Sequence, residues 1–347
     1  MTALILGGVL CTALILYALL GGADYGGGIW DLFAAGPRKA EQRSLVEHAI
    51  GPIWEANHVW LILVVVVLFT GFPPAFAAIA SGLFAPLVLL LIGIVLRGAA
   101  FTFRTYETGG DRAQRRWGRI FSMSSVLAPL MLGDIVGSLA SGRVTGPASR
   151  ACLDAFPIVT GVYTAALFAF LSATYLAVEA SGPLREDFRR RALASGAAVG
   201  ALALLAFLLS ARGAPLVHEG LTRHAWSWPL QGATAAAALL AFAALLLRRF
   251  RLARLAAAAQ VALIVLGWAG SQFPYFVVPD CTLQSASAPA AVQRLLLVAL
   301  AAGALVLFPS LYLLFSVFKG ERPLSLIDRE EPRVIGRGGR GGRGPAR

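Results

Sequence analysis

The chain has 347 residues, of which 58% are hydrophobic and 14% charged, and its mean hydropathy is +0.73. A soluble domain carries roughly 25% charged residues, so this composition excludes a soluble globular protein and predicts a multi-pass membrane protein. The net charge of +12 indicates membrane topology and not a nucleic-acid partner, because no stripe of interleaved basic and aromatic residues lies outside the apolar segments.

Nine apolar runs are long enough to cross a bilayer, which predicts an all-α protein with about nine transmembrane helices in bundles. Basic residues concentrate in the odd-numbered loops and the C-terminal segment. The positive-inside rule therefore predicts an outside N-terminus and a cytoplasmic C-terminus. The approximate bounds of the runs are 3–22, 50–70, 75–97, 118–140, 155–180, 193–211, 229–247, 253–272 and 292–317.

Residues 1–320 are predicted to form one transmembrane domain, and residues 321–347 a cytoplasmic tail. The tail is rich in arginine and glycine, so we expect it to be disordered and weakly attracted to anionic membrane lipid. Cys152 and Cys281 fall in loops predicted to lie outside, and the sequence leaves open whether they pair.

Titratable residues lie at the start of the second apolar run: His48, Glu55 and His58. If the run is one helix despite Pro52, the three side chains share an arc of roughly 80° on one face. Ionisable groups in membrane helices usually face the bundle interior or a water-filled path, because facing lipid costs at least ~2.5 kcal/mol for a charge. A polar patch that anchors the helix end at the interface explains the same residues equally well.

Asp24 follows a glycine-rich stretch at the end of the first run. Gly22 and Gly26 form a small-xxx-small pair that would let a neighbouring backbone approach, although a flexible interfacial turn has the same composition. Asp31 lies seven residues later on the same helical stripe, and two such carboxylates suit either proton collection or ordinary solvation. Arg97, near the end of the third run, can pair with a buried carboxylate or, more commonly, extend to the headgroups.

Other polar residues give weaker signals. Asp134, in the fourth run, is interpreted as an acid near the outer interface in preference to a second polar path. His218 and His224 lie in a predicted outer loop where Glu219 is the nearest acid, which is too few ligands to predict a metal site. The chain has no phosphate-binding glycine loop, no nucleophile elbow and no clear pair of haem ligands.

Residues Gly51–Ile62, with the sequence Gly-Pro-Ile-Trp-Glu-Ala-Asn-His-Val-Trp-Leu-Ile, resemble the second-helix signature of subunit II of cytochrome bd-type quinol oxidases. In that family Trp, an acidic residue, Asn and Val-Trp recur in this order. Three further segments agree in order, namely Ala23–Gly26, Leu96–Arg104 and Phe273–Phe276. The likeness runs over essentially the whole chain and is densest in the first 105 residues.

The resemblance implies a haem-free subunit II, with no catalytic centre, cofactor or metal of its own, in the respiratory electron-transport chain of a prokaryotic cell (inner) membrane. Its partner would be a larger subunit I that holds two b-type haems, one d-type haem and the quinol site, and the complex would reduce oxygen to water. Lipid contact is expected, and a bound quinone or a small accessory subunit is left open.

The resemblance also assigns residue roles. It implies that Asp24 and Glu55 help to draw protons from the cytoplasm, and it matches Arg97 as a third position. Trp54, Asn57 and Trp60 belong to the signature and are expected to be structural. His58 occupies a variable position of the signature, so its candidacy for the proton path, like that of His48, depends on chemistry alone.

Two departures from the family pattern affect this path. Gly21 and Thr102 stand where family members often have carboxylates, so a path would run on water and Thr102, rely on His48 and His58, or be absent. The alternative function is a small-solute or ion transporter, because transporters also use glycine-broken helices and acids within the membrane. A transporter predicts two corresponding broken segments, and the sequence offers only a faint similarity between residues 71–74 and 272–275.

Overall fold

The computed structural model describes residues 1–50, 54–106, 111–144 and 151–319. The predicted tail from residue 320 onward lies outside the described residues, as do the side chains of several residues at the edges of helices. The latter include Trp54 and Glu55, whose backbone alone is described.

The described chain consists of helices joined by short connections, with one small β-hairpin. A 3₁₀ turn occupies Ala151–Leu153, and the antiparallel hairpin pairs β1 (Tyr275–Val277) with β2 (Cys281–Thr282). The helices are α1 (Thr2–Leu32), α2 (Lys39–Ile50), α3 (Trp54–Gly71), α4 (Pro73–Gly82), α5 (Phe84–Tyr106), α6 (Asp111–Ser141), α7 (Ala155–Glu179), α8 (Gly182–Gly213), α9 (Pro215–Arg223), α10 (Ser227–Leu246), α11 (Phe250–Gln272) and α12 (Ala290–Lys319).

Eight helices of the described chain are long and apolar enough to cross a membrane, and α3 with α4 forms a bent pair that raises the number to nine if it counts as one span. This confirms the all-α multi-pass class. The predicted bounds of the third span, 75–97, are wrong, because α4 and α5 are separate helices. α4 begins with two prolines, which favour the first turn of a new helix, and turns 117° away from α3.

α1 continues ten residues past its predicted end at residue 22, through the glycine-rich stretch. A Cβ atom at Gly22 would lie 2.7 Å from the Phe168 ring, and one at Gly26 would collide with the backbone carbonyl of Phe168 on α7. These contacts confirm the close approach expected of a small-xxx-small pair and exclude the flexible turn. Helix packing outweighs the low helix propensity of glycine here.

α1 lies at the centre of the described bundle and packs against α3, α6 and α7. Its buried side chains join a core formed largely by α6, α7, α10 and α11. Few residues of α12, α8 and α10 are buried in the described chain. Cys11, Cys152 and Cys281 are free thiols.

Candidate functional site

The candidate site is built around an ion pair inside the bundle. Nη2 of Arg97 on α5 donates a hydrogen bond to Oδ1 of Asp24 on α1 at 2.6 Å, and both side chains are at most 3% exposed. Asp24 Oδ2 and Arg97 Nη1 have no hydrogen-bond partner among the described residues. Arg97 therefore pairs with a buried carboxylate and does not extend to the headgroups, which had been the more common expectation.

The guanidinium of Arg97 is also held by neighbours on α1 and α6. Its Nε donates to the Ser125 hydroxyl at 3.1 Å, and that hydroxyl donates to the Phe121 carbonyl at 2.7 Å. The rings of Tyr25 and Phe121 lie 5.1 and 5.0 Å from its central carbon, within the range of cation–π attraction. A buried charge needs this number of partners, because desolvation costs several kcal/mol per ion.

Two tyrosines extend the site along α1. The hydroxyls of Tyr17 and Tyr25 are 2.9 Å apart, and both residues are 1% exposed. The half-buried His58 ring lies 6.2 Å from each tyrosine ring, measured between centroids. The structure thus brings together Asp24, His58 and the tyrosine hydroxyl pair, which the sequence analysis did not identify. The sequence did carry a signal for the pair, namely the four-residue spacing of Tyr17, Gly21 and Tyr25 on one helix stripe.

The signature residues on α3 have separate contacts. Asn57 is buried, and its Nδ2 donates to the carbonyl of Leu20 on α1 at 3.4 Å. Trp60 is buried and lies against Phe308 of α12, with ring centroids 6.5 Å apart. Both residues join α3 to other helices. The side chains of Trp54 and Glu55 lie outside the described residues.

His48 does not belong to this site. It is exposed near the end of α2, and its Nδ1 lies 2.7 Å from the carbonyl of Ser44 one turn earlier in the same helix. His48 lies on α2 and His58 on α3, and residues 51–53 between these helices lie outside the described residues, as does the Glu55 side chain. That His48, Glu55 and His58 share one helix face therefore stays a prediction. Thr102 is likewise exposed and donates to the Gly98 carbonyl of its own helix.

A second ionic cluster surrounds Asp31, two turns further along α1. The Asp31 carboxylate accepts a hydrogen bond from Ser122 at 2.6 Å and from Arg104 at 3.1 Å, and Arg43 lies 3.7 Å away. Asp31 is 1% exposed, so ordinary solvation does not explain it. This cluster joins α1, α2, α5 and α6 at one end of the bundle.

Asp134 on α6 is also buried, at 5% exposure, and its predicted place near the outer interface stays a prediction. It makes no hydrogen bond or ion pair with another described side chain. In the described ranges no three His, Cys, Asp or Glu side chains are placed to bind a metal ion. An open groove of about 650 Å³ lies elsewhere on α6, lined by arginines and the apolar side chains of Ile120 and Met123. Those arginines are Arg112, Arg115, Arg116 and Arg119.

Together, the fold and the site define a multi-pass helical membrane protein with a buried ion pair and further titratable groups inside its bundle. The family model for cytochrome bd terminal oxidase subunit II matches residues 2–318. The chain therefore belongs to the cytochrome bd terminal oxidase subunit II family.

Individual relatives agree with this assignment. The chain is 32% identical over 126 residues to the cytochrome bd ubiquinol oxidase subunit 2 of Bacillus subtilis (36% of each chain). It is 29% identical over 208 residues to the cytochrome bd-I ubiquinol oxidase subunit 2 of Escherichia coli K12 (57% of this chain, 53% of the relative). The chain thus aligns with about a third to a half of the length of these relatives.

A solved structure shares the fold over nearly the whole chain. A chain of the bd oxidase from Geobacillus thermodenitrificans matches with a TM-score of 0.78 and 21% identity, covering 93% of this chain and 100% of that one. At this level of identity the likeness supports the helical architecture and carries no information about individual residues.

Proposed function

We propose that this chain is the haem-free subunit II of a quinol:oxygen oxidoreductase in a prokaryotic cell membrane. In this proposal a partner subunit I holds two b-type haems, one d-type haem and the quinol site, while this chain has no catalytic centre of its own. Family membership supports the proposal.

The first role proposed for the chain is that of a scaffold for subunit I. Large apolar side chains are exposed along α12, among them Leu295, Leu305 and Val306. Exposed apolar faces in a membrane chain contact lipid or another helix. Trp60 supports α12 from within the bundle, so this helix is positioned to contact a second subunit.

The second proposed role is proton uptake from the cytoplasm, and the buried Asp24–Arg97 pair is the single observation that carries it. Ionisable residues inside membrane helices mark ion or proton paths by default. Asp24 Oδ2 lacks a hydrogen-bond partner among the described residues, so it can bond to water or to a transferred proton. His58 is the second titratable group of this cluster, and Glu55 precedes it by one helical turn on α3.

Co-expression with a haem-bearing polytopic subunit I tests the assembly. The purified complex should absorb as b- and d-type haem and should take up oxygen when supplied with quinol. Recovery of this chain as a stable, haem-free homo-oligomer that does not retain subunit I would contradict the proposal.

Glu55→Gln in the assembled complex tests the proton role. Because glutamine cannot exchange a proton, we expect oxygen uptake to slow by about tenfold or more while haem content is unchanged. Glu219→Gln, at an exposed position on α9, is the matched control and should leave the rate unaltered. A Glu55→Gln complex that turns over at the normal rate would leave only the scaffold role.

The transporter alternative lacks its main structural requirement. It needs two corresponding broken helices, and the described part of the chain contains one bent pair, α3 with α4. Residues 272–275 instead end α11 and begin the β-hairpin. Substrate flux into vesicles that contain this chain alone would revive the alternative.

A further inference from the structure

The Tyr17–Tyr25 hydroxyl pair depends on the absence of a side chain at position 21. Tyr17, Gly21 and Tyr25 follow one another at four-residue spacing on one stripe of α1. A Cβ atom at Gly21 would lie 2.9 Å from Cε2 of Tyr17 and 3.0 Å from its Cδ2. The Tyr17 ring therefore lies over Gly21, in the volume that any larger residue would need.

The space beside Gly21 is thus occupied by the side chain of Tyr17, whose hydroxyl can exchange protons. The hydroxyl of Tyr17 meets that of Tyr25 at 2.9 Å in a place where both residues are 1% exposed. A hydroxyl donates one hydrogen bond and accepts others, so two of them in contact can pass a proton. Tyr25 follows Asp24 directly in sequence, and its ring also lies beside Arg97.

We propose that Tyr17 and Tyr25 form a two-hydroxyl proton relay that extends the path from Asp24 deeper into the bundle. In this relay the two hydroxyls replace the carboxyl group that an acidic residue at position 21 would supply. The proposal depends on the proton-uptake role proposed above. Gly21 lies three residues before Asp24, roughly 4.5 Å along the helix axis.

The relay moves protons and no electrons. The Tyr25 oxygen accepts a proton from the side of Asp24 and releases its own to the Tyr17 oxygen, which releases its own in turn. Each oxygen gains one O–H bond and loses one, so both residues end as neutral tyrosines. In this proposal the two tyrosines only pass protons, and the redox chemistry belongs to subunit I.

Tyr17→Phe in the assembled complex removes one hydroxyl and keeps the ring over Gly21. We expect the haem content to be unchanged and oxygen uptake to slow on the order of tenfold, which is the equivalent of about one lost hydrogen bond. The ratio of the rate in H₂O to the rate in D₂O should increase. Tyr163→Phe is the matched control, since Tyr163 on α7 makes no hydrogen bond with another described residue; its rate and isotope ratio should not change. If the Tyr17→Phe complex keeps the normal rate and isotope ratio, the relay is wrong.

A rescue experiment separates proton transfer from packing. Tyr17→Ala combined with Gly21→Asp exchanges the ring for a carboxyl group, and Tyr17→Ala combined with Gly21→Asn supplies an amide of nearly the same size. We expect the aspartate variant to regain more of the oxygen-uptake rate than the asparagine variant. Equal rates in the two double variants would mean that the tyrosine pair only fills space, and the relay would be refuted.

Glu55→Gln distinguishes the two levels of the hypothesis. If Glu55→Gln slows oxygen uptake and Tyr17→Phe does not, the relay is wrong and the proton-uptake role stands. If neither substitution slows it, the proton-uptake role fails, and the relay fails with it.

Discussion

Asp24 and Asp134 are two aspartates buried in the same helical bundle, and their surroundings differ. Asp24 on α1 lies 2.6 Å from Arg97, and Ser125 holds the same guanidinium. Asp134 on α6 is 5% exposed and has no hydrogen bond or ion pair among the described residues. Helices approach closely at both places. Near Asp24 the close contact is at Gly26. Near Asp134 it is at Gly161, where an added Cβ would lie 2.6 Å from the Leu130 carbonyl.

The comparison shows that burial and close helix packing do not by themselves require a counter-ion. An isolated buried carboxylate is so unfavourable that the group is held more easily in its neutral form. Asp24 can remain charged because α5 brings Arg97 to it. We therefore expect a large loss of stability when the Asp24–Arg97 pair is broken and a small change when Asp134 is neutralised.

The largest expected effect follows from Arg97→Gln. It leaves the Asp24 carboxylate buried without its cation, and breaking one side of a buried ion pair costs about 3–5 kcal/mol. The free energy of unfolding, measured by SDS titration of the purified protein in mixed micelles, should fall by this amount.

Adding Asp24→Asn to Arg97→Gln should recover part of the loss, because no unpaired charge then remains. Arg248→Gln serves as the control, since Arg248 is mostly exposed and lies 3.8 Å from Glu186. An Arg97→Gln protein as stable as this control would show that Asp24 does not need its counter-ion and would remove the contrast with Asp134.

A smaller effect is expected from Gly26→Ala, which tests whether close packing positions the ion pair. The added methyl group would collide with the Phe168 carbonyl and push α7 away from α1. Overpacking of this kind costs about 1–3 kcal/mol. Gly8→Ala on the same helix meets no atom within 4 Å and should be neutral in the same titration. Equal stability of the two variants would contradict the packing described here.

Ser125→Ala removes one hydrogen bond from Arg97 and leaves the ion pair intact. We expect a loss of about 1 kcal/mol in the free energy of unfolding. Ser81→Ala is a suitable control, because Ser81 is exposed and bonds only to carbonyls of its own helix. A loss as large as that of Arg97→Gln would mean that Ser125, and not Asp24, is the main partner of the guanidinium.

The smallest effect is expected at Asp134. Asp134→Asn keeps the shape of a neutral acid and breaks no interaction with a described residue, so stability should change by less than about 1 kcal/mol. A loss comparable to that of Arg97→Gln would show that Asp134 is charged and has a partner, and the two buried aspartates would then belong to one class.

The fold class was predictable because only a few kinds of backbone structure can cross a bilayer. A chain this apolar has to satisfy its backbone hydrogen bonds within each segment, so long apolar runs become helices. The bounds were less predictable where glycine and proline occur. Gly26 continues α1 because α7 lies against it, whereas Pro73 begins the separate helix α4.

The order of residues in the signature around Asn57 and Trp60 indicated the family and placed the candidate site near the start of α3. Asp24 and Arg97 were identified as candidates from their places at the ends of apolar runs and from the resemblance. Their pairing was not predicted, because 73 residues separate them in the chain. His48 is exposed on α2, and the arc that would join it to His58 runs through residues 51–53, which lie outside the described part of the chain.

What the amino-acid sequence by itself determined is therefore the membrane class, the approximate spans and the family of this protein, since these depend on composition, local periodicity and an ordered motif. Only the tertiary structure decided that Arg97 pairs with Asp24, that Asp134 has no such partner among the described residues and that Tyr17 lies over Gly21. These facts depend on how α1, α5 and α6 pack, and contacts between residues far apart in sequence are set by the shapes of whole helix faces.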